Sequence, residues 1–160
     1  MAGETRQTLR SSDTGVELTL TPLEPARLLA GVADGAAGGN VLFVGTARAA
    51  TDGVVTTRLE YEAHEPLARS VLERIRQAAM AEFRLVGCGI AHRLGLVEPG
   101  EASVIVAASS PHRREAFAAT EWIMARIKQE VPIWKREHRL DGSRSWEHGS
   151  GVPNVVGGPP

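Results

Sequence analysis

The spacing of apolar residues changes abruptly at Pro66, and few folds accommodate such a change. Upstream, Val55, Thr57, Leu59 and Tyr61 alternate with Thr56, Arg58, Glu60 and Glu62, the period of a half-buried strand. Downstream, Leu67, Val71, Ile75 and Ala79 recur every fourth residue, and Pro66 suits the first turn of the helix they predict. A strand that feeds straight into a helix places the chain in a mixed class. The same alternation recurs on both sides. Val16–Leu20 reads as a strand, Pro25–Ala33 as a helix and Asn40–Ala47 as a strand that turns at Thr51-Asp52-Gly53. Leu85–His92 and Ala102–Ala108 form two further strands around Pro99-Gly100. Ser110-Pro111 predicts a capped helix start, and Pro132 ends that helix near Glu130. Ile133–Leu140 and Ser143–Glu147 close as a hairpin about Asp141-Gly142. The reading is α+β, one domain over residues 16–147 with a mixed or antiparallel sheet. Residues 1–15 are polar and residues 148–160 are Gly/Pro-rich, so both ends read as flexible segments.

Composition excludes several functions. A net charge of −1 supplies no field for nucleic acid or an anionic membrane. No apolar run approaches the roughly 18 residues of a membrane span, and the N-terminus lacks the apolar core of a signal peptide. A cytoplasmic location is the expectation. The single cysteine, Cys88, lies in the apolar run 85–91 and reads as a small core residue, not a sulfur relay. Five scattered histidines and the absence of a Walker loop or dinucleotide-binding glycine pattern call for no metal and no cofactor.

Chemistry concentrates near the C-terminal third. Of 18 basic residues only Lys128 and Lys135 are lysines, and both fall in one segment. Arginine is a permanent cation, whereas a lysine amine can lose its proton and act as base or nucleophile. On one continuous helix the two would stand about 10.5 Å apart along the axis, but the break at Pro132 lets the following strand fold back. Between Ser109 and Arg139 seven Lys/Arg face four Glu, so this region is cationic on a chain whose remainder is acidic. His112, Arg113 and Arg114 crowd a helix N-terminus, where cations cost roughly 0.3–1 kcal/mol each. A bound phosphate would reverse that cost. A solvated charged helix face is the bland alternative, and Lys128 at a helix C-terminus is favoured without any ligand. Trp134 reads as core packing, and Arg48 ends an apolar strand at a loop, a usual place for a ligand-facing cation or a plain surface arginine.

Five stretches in order resemble a known family, the large catalytic subunit of molybdopterin synthase. They are Phe43-Val44-Gly45-Thr46-Ala47-Arg48, Leu59 through Pro66, His92 through Glu101, Ser109 through Phe117, and Lys128 through Val131-Pro132-Ile133-Trp134-Lys135-Arg136-Glu137. Ala47 and Ala49 stand where that family often has Val and Asn. The resemblance implies an α/β hammerhead fold and a homodimer within a heterotetramer. A small ubiquitin-like sulfur-carrier subunit docks at each end and inserts a Gly-Gly tail that ends in a thiocarboxylate. The implied reaction converts cyclic pyranopterin monophosphate to molybdopterin, a sulfurtransferase step of molybdenum cofactor biosynthesis. It further implies that Lys135 and Lys128 are catalytic and that Arg48, His112, Arg113, Arg136 and Glu137 bind substrate. Cations suit both anions, the phosphate and the tail. Two other classes compete: a phosphate-binding paralogue without turnover, and a lysine Schiff-base enzyme on a phosphorylated carbonyl compound.

Overall fold

A computed structural model describes residues 15–148; the expectations for the segments 1–14 and 149–160 lie outside the described residues. The described residues fold as mixed α+β with three helices and two sheets. The first sheet has the order β1 (Val16–Thr19), β5 (Gly87–Arg93), β7 (Ala102–Ser110), β2 (Gly39–Thr46). Within it β1 runs parallel to β5 and the other pairs are antiparallel. Helices α2 (Glu65–Glu82) and α3 (Arg113–Glu130) cover one face, and α1 (Pro25–Val32) covers the other.

β7 shows why its sequence is apolar throughout. Val104, Val106 and Ala108 point to α2 and α3, while Ile105 and Ala107 point to α1. A strand covered on both faces has no polar side to display. β5 obeys the same logic and must also approach α1 closely. A Cβ on Gly87 would stand 2.6 Å from the Val32 carbonyl, so only glycine fits there. The adjacent Ser109 hydroxyl donates to that same carbonyl at 2.6 Å. Cys88 is buried in the larger core, as its apolar run predicts.

The second sheet has the order β3 (Ala50–Thr51), β4 (Val54–Ala63), β8 (Ile133–Arg139), β9 (Arg144–His148). A short β6 (Gly95–Val97), not foreseen in the sequence, also pairs with β4. Asp52 and Gly53 both take positive φ, which gives the β3–β4 hairpin the tight turn that matches strand twist.

Three expectations need correction. The alternation of β4 slips between Thr56 and Arg58, where the pairing with β8 is irregular. As a result Thr56 is buried while Val54 and Val55 are 44% and 47% exposed. On α2 the buried stripe is Ala68, Leu72, Ile75 and Ala79, and Leu67 is half exposed. A strict four-residue spacing drifts about 40° per step around a helix of 3.6 residues per turn, so the true stripe alternates steps of four and three. Finally, Ser110 ends β7 instead of capping α3. Its hydroxyl donates to the His112 carbonyl, and His112, in extended conformation, takes the cap position without a side-chain hydrogen bond.

Candidate active site

Pro132 does the most to build the site. α3 stops at Glu130, Val131 takes extended geometry, and β8 departs from Ile133 along β4. The return brings Lys128, on the last turn of α3, and Lys135, on β8, to the same cavity of about 420 Å³. Arg48, just beyond β2, lines the same cavity together with Thr46 and Thr51. Leu59 and Tyr61 of β4, with Met124, Ile127 and Ile133, supply an apolar lining.

Strand geometry sorts the residues of β8. Alternate side chains point to opposite faces, so Lys135 and Glu137 share the cavity side. The Lys135 amine donates to Glu137 Oε1 at 3.1 Å. Glu137 is only 3% exposed, so a buried carboxylate anchors the amine and directs it. Arg136 points the other way. Its guanidinium donates to Glu60 Oε2 from Nε at 2.9 Å and from Nη2 at 2.5 Å, and lies 4.6 Å from the centre of the Trp146 ring. His138 Nε2 meets the same Glu60 oxygen at 2.8 Å. Burial alone would raise the Glu60 carboxyl, but the hydrogen bonds from His138 and Arg136 outweigh it and hold the carboxyl below its ordinary value. This cluster staples β8 to β4 from behind the cavity.

Of the residues singled out in the sequence, Arg48, Lys128, Lys135 and Glu137 therefore converge. Arg136 does not; the resemblance placed it with the substrate groups, and the pleat turns it to the opposite face. His112 and Arg113 do not reach the cavity either. They line a separate open hollow with Gly38, Pro111 and Arg114 at the start of α3. Lys128 lies fifteen residues further along that helix, about 22 Å at 1.5 Å per residue. Trp134, read as core, is half-buried and outside the main core cluster.

Sequence reasoning passed over His92, which the fold places on the cavity floor against Tyr61, with ring centres 5.0 Å apart in an edge-to-face arrangement. The available signal was its position as the polar end of an otherwise apolar strand. Cys88 is excluded from sulfur chemistry by its surroundings: burial pushes its thiol up to about 12, against the opposing pull of Arg76. Among the described residues, no group of three or more His, Cys, Asp or Glu side chains is placed to hold a metal ion, and no helix is long and apolar enough to cross a membrane.

Comparison with known proteins bears on this geometry. The MoaE protein family matches residues 18–130. The chain is 42% identical over 128 residues to the molybdopterin synthase catalytic subunit of Bacillus subtilis, covering 80% of this chain and 82% of that protein. It is 43% identical over 131 residues to its Aspergillus fumigatus counterpart, covering 82% and 70%. The crystal structure of molybdopterin synthase from Staphylococcus aureus superposes with a TM-score of 0.78 at 33% identity, covering 84% of this chain and 96% of that one. A complex of subunits 1 and 2 of the molybdopterin-converting factor from Helicobacter pylori shares the fold, with a TM-score of 0.68 at 22% identity over 85% and 92% of the two chains.

Proposed function

Because the chain belongs to the MoaE family of molybdopterin synthase catalytic subunits, enzymes of molybdenum cofactor biosynthesis, we propose that the cavity above is where sulfur is transferred. The donor is the thiocarboxylated Gly-Gly tail of a small ubiquitin-like partner, and the acceptor is cyclic pyranopterin monophosphate. The observation that carries this reading is the convergence of Arg48, Lys128 and Lys135 around a buried Glu137.

Two anions must meet for this chemistry, and they repel each other in water. Cations fixed on a strand, a helix end and a loop offset that repulsion and align the sulfur with the carbon it attacks. Lys135, directed by Glu137, is the group assigned to proton transfer at the reacting carbon. Lys128 and Arg48 hold charge on the phosphate or the tail. Each transfer forms a carbon–sulfur bond on the pterin side chain in place of a carbon–oxygen bond, one oxygen leaving with the opened phosphate and the other as water. Hydrolysis of the acyl–sulfur bond then releases the partner as its ordinary carboxylate. Two transfers complete the dithiolene, and the cyclic phosphate opens.

The hollow at His112 and Arg113 finds a role in the homodimer. β2 is an edge of its sheet among the described residues. Its Gly39 end abuts Arg113, with a Cβ at Gly39 falling 2.9 Å from the Arg113 Cα, while its Gly45 end lines the cavity. The two ends are about 20 Å apart at 3.3 Å per residue. Pairing two β2 edges antiparallel about a two-fold axis would set each hollow beside the other protomer's cavity. Arg113 and His112 would then bind the phosphate of a substrate held by the second copy.

Reconstitution tests the reading. The chain, the thiocarboxylated partner and cyclic pyranopterin monophosphate should together yield the dithiolene product without added metal. Partner binding without product would favour the silent paralogue. Borohydride trapping of a sugar phosphate on Lys128 or Lys135 would favour the Schiff-base enzyme.

A further inference from the structure

His92 is a buried titratable group that the mechanism above does not use. Its ring lines the floor of the cavity, and the residue is 6% exposed. Two contacts fix it. Nδ1 lies 2.8 Å from the Arg93 carbonyl oxygen, and the Tyr61 ring packs edge-to-face against it at 74°. A carbonyl can only accept, so Nδ1 must carry the proton. Nε2 is then the bare nitrogen of a neutral imidazole, and no other described residue makes a hydrogen bond to it. Burial keeps the ring neutral by pushing it down to about 4, although the bond to Arg93 pulls the other way.

The surroundings make this nitrogen unusual. Arg48, Lys128 and Lys135 only donate, Glu137 Oε1 accepts from Lys135, and the hydroxyls of Thr46, Thr51 and Tyr61 can act either way, which leaves His92 Nε2 as the lining nitrogen that can only accept. A ligand held only by these cations would be selected for its anionic parts and for nothing else. Nε2 faces the cavity, so a ligand that shuts water out without supplying a donor leaves the nitrogen unpaired at a cost of about 1–3 kcal/mol, and that cost discriminates against it.

We propose that His92 is a specificity-determining residue whose Nε2 accepts a hydrogen bond from an N–H group of the substrate's heterocycle. The assignment rests on the synthase reading. It extends that reading from the phosphate and the sulfur donor to the ring system between them. Tyr61 contributes by holding the imidazole plane, and Arg93 by fixing the tautomer. The geometry explains why a buried strand end carries a histidine where an apolar residue would pack equally well.

Two variants separate acceptor from filler. His92→Leu removes the nitrogen and keeps an apolar volume that the surrounding core tolerates. His92→Gln can place an amide oxygen near the lost Nε2. In the reconstituted complex, His92→Leu should raise KM for cyclic pyranopterin monophosphate about tenfold with kcat within a few-fold of the parent, and His92→Gln should recover most of the loss. Nitrogen-15 spectra of the unaltered chain should show Nδ1 protonated, and the Nε2 resonance should move when substrate is added. An Nε2-protonated ring, a resonance that substrate leaves in place, or an unchanged KM in His92→Leu would overturn the assignment while the synthase reading stood. Absence of product from the unaltered complex would overturn both.

Discussion

His92 and Cys88 stand four residues apart on β5, and burial moves their proton equilibria in opposite directions. The thiol is held neutral by a raised pKa and the imidazole by a lowered one. The imidazole has a measurable consequence. Between its ordinary 6.5 and about 4 the unfolded chain binds a proton there that the folded chain refuses. Stability therefore falls as pH drops through that window and is full above it. The gap corresponds to about 3 kcal/mol. Urea unfolding at pH 7 and pH 4.5 should show the loss, and His92→Leu should remove most of it; an equal pH dependence in both proteins would contradict the assignment. Lys135 gives the second prediction at this scale. Arg136 shows that a cation one residue away faces the wrong side, so charge alone does not define the position. Lys135→Arg should fold and bind the partner, yet lose roughly 10²–10⁴ in single-turnover rate, because a permanent cation cannot exchange the proton. Near-parental turnover would reduce the residue to a charge.

At the scale of elements, β8 matters most. Its cavity side carries Lys135 and Glu137, and its rear side is tied to β4 through Glu60. Glu60→Gln keeps the shape but weakens the charge-assisted bonds to Arg136 and His138. We expect a loss of about 1 kcal/mol, discounted for partial exposure, and a slower sulfur transfer as Lys135 loses its fixed direction. Thermal denaturation and turnover measured on the same variant check this; lost stability with untouched kcat would show the staple is structural only. What was legible in the sequence follows the same division. Pro132, the Pro25 and Pro66 helix starts and the Asp141-Gly142 turn carry their geometry locally, so those elements appear where the pattern puts them. The slip in β4 and the later start of α3 do not, because both depend on partners distant in the chain. β8 sets the β4 register, and Ser110 stays in β7 because it pairs with Gly39. The sequence marks His92 only as the polar end of an apolar strand, and its role was unreadable for the same reason. Its value lies in a tautomer fixed by the fold and a cavity assembled from five other strands and a helix.

Across the whole molecule, cationic groups lie at both ends of α3, and one chain cannot bring them together. The dimer arranged through β2 predicts complementation. Arg113→Ala and Lys135→Ala should each be nearly inactive alone, and mixing them should restore up to half of one parental site set per mixed dimer. Additive inactivity after subunit exchange would place each site within one protomer. The partner's role requires no sulfur relay on this chain, since the one cysteine is sealed in the core. Under the proposed function, sulfur passes directly from the tail to the pterin and each product consumes two donors. The decisive measurement is a single-turnover experiment with isotopically labelled thiocarboxylate, counting donor spent and labelled sulfur found in product. The account predicts two labelled sulfurs per dithiolene, two partners returned as carboxylates and no label on the chain. Label retained on this chain, or a partner consumed without labelled product, would contradict it.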